Sequence, residues 1–280
     1  MRWYYDKKAV ITGGSSGIGK AVAIQLAKWG AHVCICARDT TRLERACEEI
    51  RSQALSKAKD PKITSISIDV ADRRQVRTAA PEAVKLLGGI DFLINCAGIT
   101  WPGYFKDIPD GIWDSMMQVD YMGTVNTVRA FIPYFMEQKH GSIVNVASVV
   151  GYMGVFGYAA YSPAKFAVVG FSECLRQELL PFNVSVSVIF PPDTDTPQWH
   201  EENRTKPQET RVLAGTIKVL DASKVARSLL KGMARESFFI IPGAMNKFTY
   251  FMNRHFHSLV WMITSSILRK FWKKNPIRPM

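Results

Sequence analysis

A glycine-rich segment near the N-terminus, Thr12–Gly19, constrains the fold of this chain more than any other segment. It follows the apolar run Ala9–Ile11 and precedes an amphipathic stretch at 20–27, so the pattern is strand, tight turn and helix. The glycine spacing is G-x-x-x-G-x-G. In this setting the backbone N–H groups at the start of the helix face a phosphate group. The segment therefore predicts a site for the pyrophosphate of a dinucleotide.

Strand-like and helix-like patterns alternate from this turn onward. The predicted strands are Lys8–Thr12, His32–Ala37, Thr64–Ile68, Phe92–Asn95, Ser142–Ala147 and Val184–Ile189. The predicted helices are Gly17–Trp29, Thr41–Lys57, Asp72–Leu87, Ile112–Gln138 and Ser162–Leu180. Short strands joined by helices imply crossovers between parallel strands. The expected fold is a single α/β domain at 1–235, a doubly wound parallel sheet of the Rossmann type, in which 191–215 forms a substrate loop.

Composition limits the other possibilities. A chain of 280 residues that is 47% apolar can bury one full core. The five cysteines are odd in number and lack the spacing of metal ligands, so we expect free thiols, a reducing compartment and no metal. The N-terminus leads directly into the first predicted strand, and no signal peptide is expected.

A tyrosine and a lysine lie four residues apart at Tyr161 and Lys165, and Ser148 precedes them. On a helix, such a pair stacks on one face. A phenol has a pKa near ~10, and a neighbouring cation lowers it toward the range useful for proton transfer. Ser148 would hold a substrate oxygen. Taken alone the pair fits an ordinary surface contact, but together with the glycine-rich turn it predicts hydride and proton transfer at a carbonyl or alcohol carbon.

These motifs resemble those of the short-chain dehydrogenases/reductases over roughly Lys7–Thr196. The matching segments are Thr12–Gly19, Asp69-Val70, Asn95–Gly98, Ser148, the Tyr161/Lys165 pair and Pro191–Thr196. Within that superfamily the chain is similar to the 3-ketodihydrosphingosine reductases of sphingolipid synthesis. The narrower resemblance rests on Pro191–Pro197, which reads PPDTDTP, on Glu201–Thr210 and on Gly151–Tyr161.

The resemblance implies cofactor contacts for many of these residues. The pyrophosphate and its neighbouring ribose would be cradled by Gly13, Ser15, Ser16, Gly17, Ile18 and Gly19. The adenine, the path to the nicotinamide and the carboxamide would be contacted by Asp69, Val70, Asn95, Ala97, Gly98, Pro191, Thr194 and Thr196, with Tyr161 and Lys165 at the nicotinamide ribose. Two simpler interpretations stay open: the serines are also good turn residues, and Asn95 can be a strand-end cap.

The end of the second strand bears on the choice of cofactor. An acidic residue there binds the ribose of NAD, whereas an arginine suits the 2′-phosphate of NADP. Arg38 comes first in this chain, and Arg42 follows one turn into the next helix. Asp39 weakens the signal, although it can pair with Arg42 instead. NADPH is the expected cofactor.

One position departs from the family pattern. Most members carry an asparagine where this chain has Asp120, and that asparagine is thought to anchor a water that connects the lysine to solvent. Asp120 can still accept a hydrogen bond. A carboxylate near Lys165 would also raise the pKa of the lysine and offset its effect on Tyr161. We count Asp120 among the catalytic residues.

The C-terminal segment 236–280 is the second predicted unit, an apolar and basic extension. The part of the chain from Lys231 onward contains nine basic residues and one acidic residue, and the net charge of the whole chain is +12. The apolar runs 238–241 and 258–268 are shorter than the ~20 residues that cross a bilayer. They favour an interfacial helix on an anionic membrane, and a helix packed over the active site or on a partner subunit is the alternative. Nucleic acid is not an expected partner, because the aromatic residues lie among aliphatic ones, and a homo-oligomer is left open.

The predicted function is the NADPH-dependent reduction of 3-ketodihydrosphingosine to dihydrosphingosine. The resemblance implies that Ser148 and Tyr161 hold the keto oxygen, that Tyr161 donates the proton, and that Lys165 lowers the pKa of the phenol. A lipophilic substrate implies a cytosolic membrane face, at the endoplasmic reticulum in a eukaryote or the inner membrane in a bacterium. Two alternatives remain: a reductase of another lipophilic ketone, steroid or long-chain acyl, and a cofactor-binding scaffold with little turnover, which Asp120 alone supports.

Overall fold

A computed structural model describes residues 2–54, 61–215 and 218–275. The strands are β1 Lys8–Thr12, β2 His32–Ala37, β3 Ile63–Ser67, β4 Phe92–Asn95, β5 Gly141–Val146, β6 Val184–Ile189, β7 Thr194–Asp195, β8 Leu220–Asp221 and β9 Phe239–Ile240. The helices are α1 Gly17–Lys28, α2 Thr40–Ala54, α3 Arg73–Leu87, α4 Asp110–Met116, α5 Gly123–Gln138, α6 Tyr161–Glu178, α7 Pro197–Thr205, α8 Gln208–Ala214, α9 Ala222–Met233, α10 Ala244–His255 and α11 His257–Lys274.

The core is one parallel sheet with helices on both faces. Its strand order is β3-β2-β1-β4-β5-β6-β9, and every pairing is parallel. The inner strands are apolar on both faces, because α1, α2 and α9 cover one side while α3, α5 and α6 cover the other. The predicted doubly wound α/β fold is confirmed.

The strand order reverses at β1, which lies between β2 and β4. Thr12, the last residue of β1, is in register with Cys36 on β2 and with Asn95 on β4. The carboxyl ends of these strands therefore meet at one rim. Chains that leave this rim in opposite directions open a crevice, which is where ligands bind in sheets of this kind.

The helix predicted at Ile112–Gln138 is present but is not regular throughout. A wide π-helical turn, Met117–Met122, lies between α4 and α5 and contains Asp120. Such turns insert an extra residue and are frequent at functional sites. The end of the helix predicted at Thr41–Lys57 lies outside the described residues beyond Ala54.

The domain boundary predicted at 235 divides the sheet. Val188 and Ile189 of β6 pair with Phe239 and Ile240 of β9, so the apolar run 238–241 supplies the seventh strand. That run is part of the core rather than of a peripheral extension. The extension begins later, with α10 and α11. No helix among the described residues is long and apolar enough to cross a bilayer.

Candidate active site

A cavity of about 1020 Å³ opens at the carboxyl rim of the sheet. The glycine-rich turn after β1, the ends of β2, β4 and β5, the first turns of α6 and the substrate loop all contribute to its wall. Helices α10 and α11 line the side away from the sheet. The cavity thus joins a polar region at the strand ends to a region bounded by helices from the C-terminal third of the chain.

Ser148, Tyr161 and Lys165 converge at the inner end of this cavity. Ser148 lies two residues after the end of β5, and its Oγ accepts a 3.4 Å hydrogen bond from the Val150 amide. Tyr161 begins α6 and Lys165 follows one turn later, with Nζ 5.5 Å from the centre of the phenol ring. Lys165 Nζ also donates to the Val146 carbonyl oxygen at 3.2 Å. The three side chains predicted from sequence spacing are therefore brought together.

Asp120 lies behind the cavity wall and is fully buried. Its Oδ1 accepts a 2.9 Å hydrogen bond from the Ile99 amide and is 3.4 Å from Lys165 Nζ, while Oδ2 has no hydrogen-bond partner among the described residues. Burial raises the pKa of Asp120 to about 6, although Lys165 opposes this. A Cβ at Gly98 would lie 2.6 Å from Oδ1 and 3.2 Å from Nζ, so only glycine leaves room for this ion pair.

Burial determines the pKa of the Tyr161 phenol. It raises this pKa well above the usual value, the negative charges of Asp120 and Glu202 add to the increase, and a hydrogen bond with Ser148 opposes it. The lowering of the Tyr161 pKa that we expected from Lys165 is therefore smaller than the increase that burial causes. A raised pKa keeps the phenol protonated at neutral pH, so the group can begin a reduction as the proton donor, although it is then a weaker acid than a free phenol.

The start of α1 forms an anion cradle at the other end of the cavity. Ser16 lines the cavity and is the N-cap residue of α1, but its side chain makes no capping hydrogen bond with the first amides of the helix. Gly13 has φ +66°, and a Cβ there would be 2.8 Å from the Ala97 amide nitrogen. These glycine and serine residues fit a pyrophosphate group.

The second strand ends at the same side. Asp39 Oδ1 accepts a 2.9 Å hydrogen bond from the Arg42 amide, and Asp39 Oδ2 is 3.3 Å from Arg42 Nε. Arg38 lines the cavity, is exposed, and makes no ion pair with any described residue. The open question about Asp39 is answered by geometry: it pairs with Arg42.

Most of the predicted cofactor contacts line the cavity. They are Gly13, Ser15, Ser16, Gly17, Ile18, Gly19, Arg38, Arg42, Asp69, Val70, Ala97, Gly98, Tyr161, Lys165, Pro191, Thr194 and Thr196. Asn95 is the exception. It is buried, donates to Asn145 Oδ1 at 2.8 Å and accepts from Thr127 Oγ1 at 2.7 Å, so it joins β4, β5 and α5 instead of lining the path to the nicotinamide.

The substrate loop brings a charged cluster to the cavity that the sequence motifs left without a role. Asp193, Glu202 and Lys206 line the wall together with Tyr158. Lys206 Nζ lies 2.7 Å from Glu202 Oε1 and 3.6 Å from Asp193 Oδ2. The signal was present in the sequence, because all three charged residues belong to the segments Pro191–Pro197 and Glu201–Thr210.

Helix α11 packs over the cavity, which was the alternative to a free interfacial helix. Trp272 Nε1 donates to Glu209 Oε1 at 3.1 Å, and the Tyr104 hydroxyl donates to Oε2 of the same carboxylate at 2.9 Å. The Trp272 and Phe156 rings are 6.1 Å apart. The cavity-facing residues of the helix are His257, Val260, Trp261, Thr264, Ser265 and Leu268.

This geometry agrees with a family assignment from the sequence. Residues 7–207 match the model of the short chain dehydrogenase family. The chain belongs to the short-chain dehydrogenase family. The family consists of oxidoreductases that act on a ketone or alcohol group, and membership supports the expectation of a nicotinamide cofactor.

Within the family, the chain is similar to enzymes named for one ketone. It is 41% identical over 230 residues to the 3-dehydrosphinganine reductase of Danio rerio and 40% identical to the 3-ketodihydrosphingosine reductase of Bos taurus. Each match covers 82% of this chain and 69% of the relative. The narrower resemblance found in the motifs is confirmed.

Solved structures share the fold at low identity. A short-chain dehydrogenase/reductase from Burkholderia phymatum, in complex with NAD, matches with a TM-score of 0.80 at 24% identity and covers 100% of this chain and 99% of its own. A levodione reductase matches with a TM-score of 0.77 at 22% identity, covering 87% of this chain and 98% of its own. At this identity the likeness concerns the fold alone.

Proposed function

We propose that the enzyme reduces 3-ketodihydrosphingosine to dihydrosphingosine with NADPH. One observation carries the proposal: Ser148, Tyr161 and Lys165 converge in a cavity whose outer wall comes from α10 and α11, in a chain about 40% identical to reductases named for this ketone. The deep polar end suits the keto group. The long cavity toward the C-terminal helices suits an alkyl chain.

A reduced nicotinamide, when bound, supplies the hydride that adds to the carbonyl carbon. Ser148 donates a hydrogen bond to the keto oxygen and fixes its position beside Tyr161. Tyr161, which is protonated at neutral pH because burial raises its pKa, transfers its proton to that oxygen. The Lys165 ammonium, 5.5 Å from the ring, stabilises the phenolate that is left behind, and it would also hold the nicotinamide ribose.

The preference for NADPH rests on Arg38. Its guanidinium lines the cavity and is available for a 2′-phosphate, whereas Asp39, the residue that would favour a free ribose hydroxyl, is paired with Arg42 at 3.3 Å. The glycine-rich turn and the start of α1 would hold the pyrophosphate. Ala97 and Gly98 would line the path to the nicotinamide, and Thr194 and Thr196 would meet its carboxamide.

We further propose that α10 and α11 hold the enzyme at the cytosolic face of a membrane, where a long-chain keto base is concentrated. The usual orientation of an amphipathic helix is reversed in α10: Asn246 and Asn253 are buried, while Met245 and Phe248 are each 59% exposed. On α11, Met262 is 57% exposed. An outward apolar face of this kind marks an interaction surface.

The decisive experiment is a substrate panel. Purified enzyme would be given NADPH or NADH with 3-ketodihydrosphingosine, a steroid ketone and a long-chain acyl ketone, and oxidation of the cofactor would be followed together with product mass. We expect the highest kcat/KM for 3-ketodihydrosphingosine with NADPH. A higher value for another ketone would favour the broader reductase, and cofactor binding without turnover on any ketone would favour a scaffold.

A further inference from the structure

The charged cluster in the substrate loop lies beside the proposed proton donor. The Tyr158 hydroxyl donates to Glu202 Oε1 at 3.1 Å, and the Tyr158 and Tyr161 ring centres are 5.9 Å apart. The negative charges of Glu202 and Asp193 also act on the Tyr161 phenol and raise its pKa. The cluster is therefore close enough to influence whatever occupies the catalytic end of the cavity.

The cluster combines two carboxyl groups with a single lysine. The Lys206 side chain is only 3% exposed and serves two carboxylates, Glu202 at 2.7 Å and Asp193 at 3.6 Å. The Glu202 side chain is 10% exposed, and both of its contacts, from Lys206 and Tyr158, reach Oε1. Among the described residues no donor reaches Oε2. Glu202 lines the cavity, and Oε2 is not one of the fully buried unpaired oxygens of the described residues, so a ligand that supplies a cation can pair with it there.

The proposed substrate carries such a cation in the right place. A 2-amino-3-ketone bears its protonated amine on the carbon next to the carbonyl, so the amine stays close to Tyr161 when the keto oxygen is held there. An ammonium group offers several N–H donors, which suit a carboxylate with a free oxygen. A neutral ketone of the same length offers none.

We propose that Glu202, supported by Asp193, binds the protonated amine of the substrate and selects 2-amino ketones over neutral ketones. This inference rests on the proposed function, because it concerns the same cavity and the same reaction. Glu202 is a specificity residue, and Lys206 and Tyr158 position its carboxylate. The role also gives a chemical reason for the charged residues of Pro191–Pro197 and Glu201–Thr210.

The test compares two substrates in two variants. The substrates are 3-ketodihydrosphingosine and a 1-hydroxy-3-ketone of equal chain length without the amine. Glu202→Gln keeps the shape and removes the charge. Glu201→Gln is the matched control, because it removes the same charge from the same helix at a side chain that is 70% exposed and pairs with Arg204 at 2.9 Å.

We expect Glu202→Gln to lower kcat/KM for the amino ketone by about ten-fold or more, mainly through KM, while the neutral ketone stays within about three-fold. Glu201→Gln should leave the preference unchanged, and NADPH affinity should be the same in all three proteins. Equal losses on both ketones in Glu202→Gln, or no preference in the wild type, would overturn the amine site while leaving the reductase assignment intact. Wild-type enzyme that reduces the neutral ketone but not the amino ketone would contradict both proposals.

Discussion

Tyr161 and Lys165 have separable roles at the residue scale. Tyr161→Phe keeps the ring and removes the proton, so kcat should fall by about 10²-fold or more, the usual contribution of a general acid, with NADPH affinity changed by no more than a few-fold. Lys165→Ala should reduce both kcat and NADPH affinity, because the ammonium faces the phenol and the proposed ribose site. Steady-state kinetics and cofactor titration measure the two effects. A Tyr161→Phe variant that retains most of its activity would assign the proton to another group.

Asp120 tests how the buried ion pair controls the phenol. Its carboxylate lies 3.4 Å from Lys165 and its negative charge raises the pKa of Tyr161, so Asp120→Asn should lower that pKa. The reduction needs a protonated phenol and is lost as the pH rises through this pKa. The alkaline limb of the pH–rate profile should therefore move to lower pH, with activity retained at neutral pH. An unchanged profile would show that Asp120 does not act on the catalytic pair.

Arg38 and Arg42 provide a matched pair for cofactor choice. Arg38→Ala should weaken NADPH by about ten-fold or more and change NADH little, because only the 2′-phosphate takes up a charge-assisted contact. Arg42→Ala removes the same charge from an arginine already paired with Asp39, so the loss should be smaller. Dissociation constants for both cofactors decide the matter. Equal losses of NADPH and NADH in Arg38→Ala would remove the phosphate role.

At the residue scale, the direction in which a side chain points is the feature that the sequence predicts least well. The i, i+4 spacing of Tyr161 and Lys165 fixes their shared face, so their meeting was predictable. Asn95 was placed correctly at the rim, yet its amide turns into the protein to join Asn145 and Thr127. The partners of Asn95 lie more than thirty residues away in sequence. Local pattern does not specify such distant contacts.

Among the elements, the strands were predictable and the C-terminal elements were not. Short runs of β-branched residues between helices predict the inner strands of the sheet. The run 238–241 is equally apolar, but its role as β9 depends on pairing with β6, about fifty residues earlier. The same run fits an edge strand or a membrane segment until that partner is known. Helix α11 was predictable as a helix, but its position over the cavity depends on distant contacts, which include the ring contact of Trp272 with Phe156 and the hydrogen bond from Trp272 to Glu209.

That hydrogen bond makes a prediction for α11. Trp272→Phe keeps an aromatic ring against Phe156 but removes the 3.1 Å hydrogen bond to the Glu209 carboxylate. A hydrogen bond to a charged group contributes about 1.5–3 kcal/mol, so hydrogen exchange of the α11 amides should become roughly ten-fold faster or more. Trp261→Phe is the control, because it makes the same change in the same helix at a 64% exposed ring. Similar exchange rates in the two variants would mean that the bond does not hold the helix.

At the scale of the whole molecule, the proposed membrane face, which is the exposed side of α10 and α11, can be compared with the end of the sheet that lies away from the cavity. Met262 on α11 is 57% exposed, and four exposed basic side chains follow in the same helix, Arg269, Lys270, Lys273 and Lys274. Each can contribute about 1 kcal/mol near an anionic surface, and a fully buried apolar side chain adds about 1.5–3 kcal/mol. Leu180 is 69% exposed and lies between α6 and β6, at the end of the sheet away from the cavity.

The wild-type protein should float with anionic liposomes, and added salt should weaken the binding because the basic residues act through the surface charge. Met262→Glu should reduce the bound fraction by about ten-fold, since it replaces an inserting side chain with a charge that anionic lipid repels. Leu180→Glu should bind as the wild type does, because its position lies outside the proposed face. Both variants should reduce a short, water-soluble ketone at the wild-type rate, which would show that the fold is intact. Full-length protein that stays at the bottom of the gradient would leave a partner subunit as the occupant of the exposed face of α10 and α11.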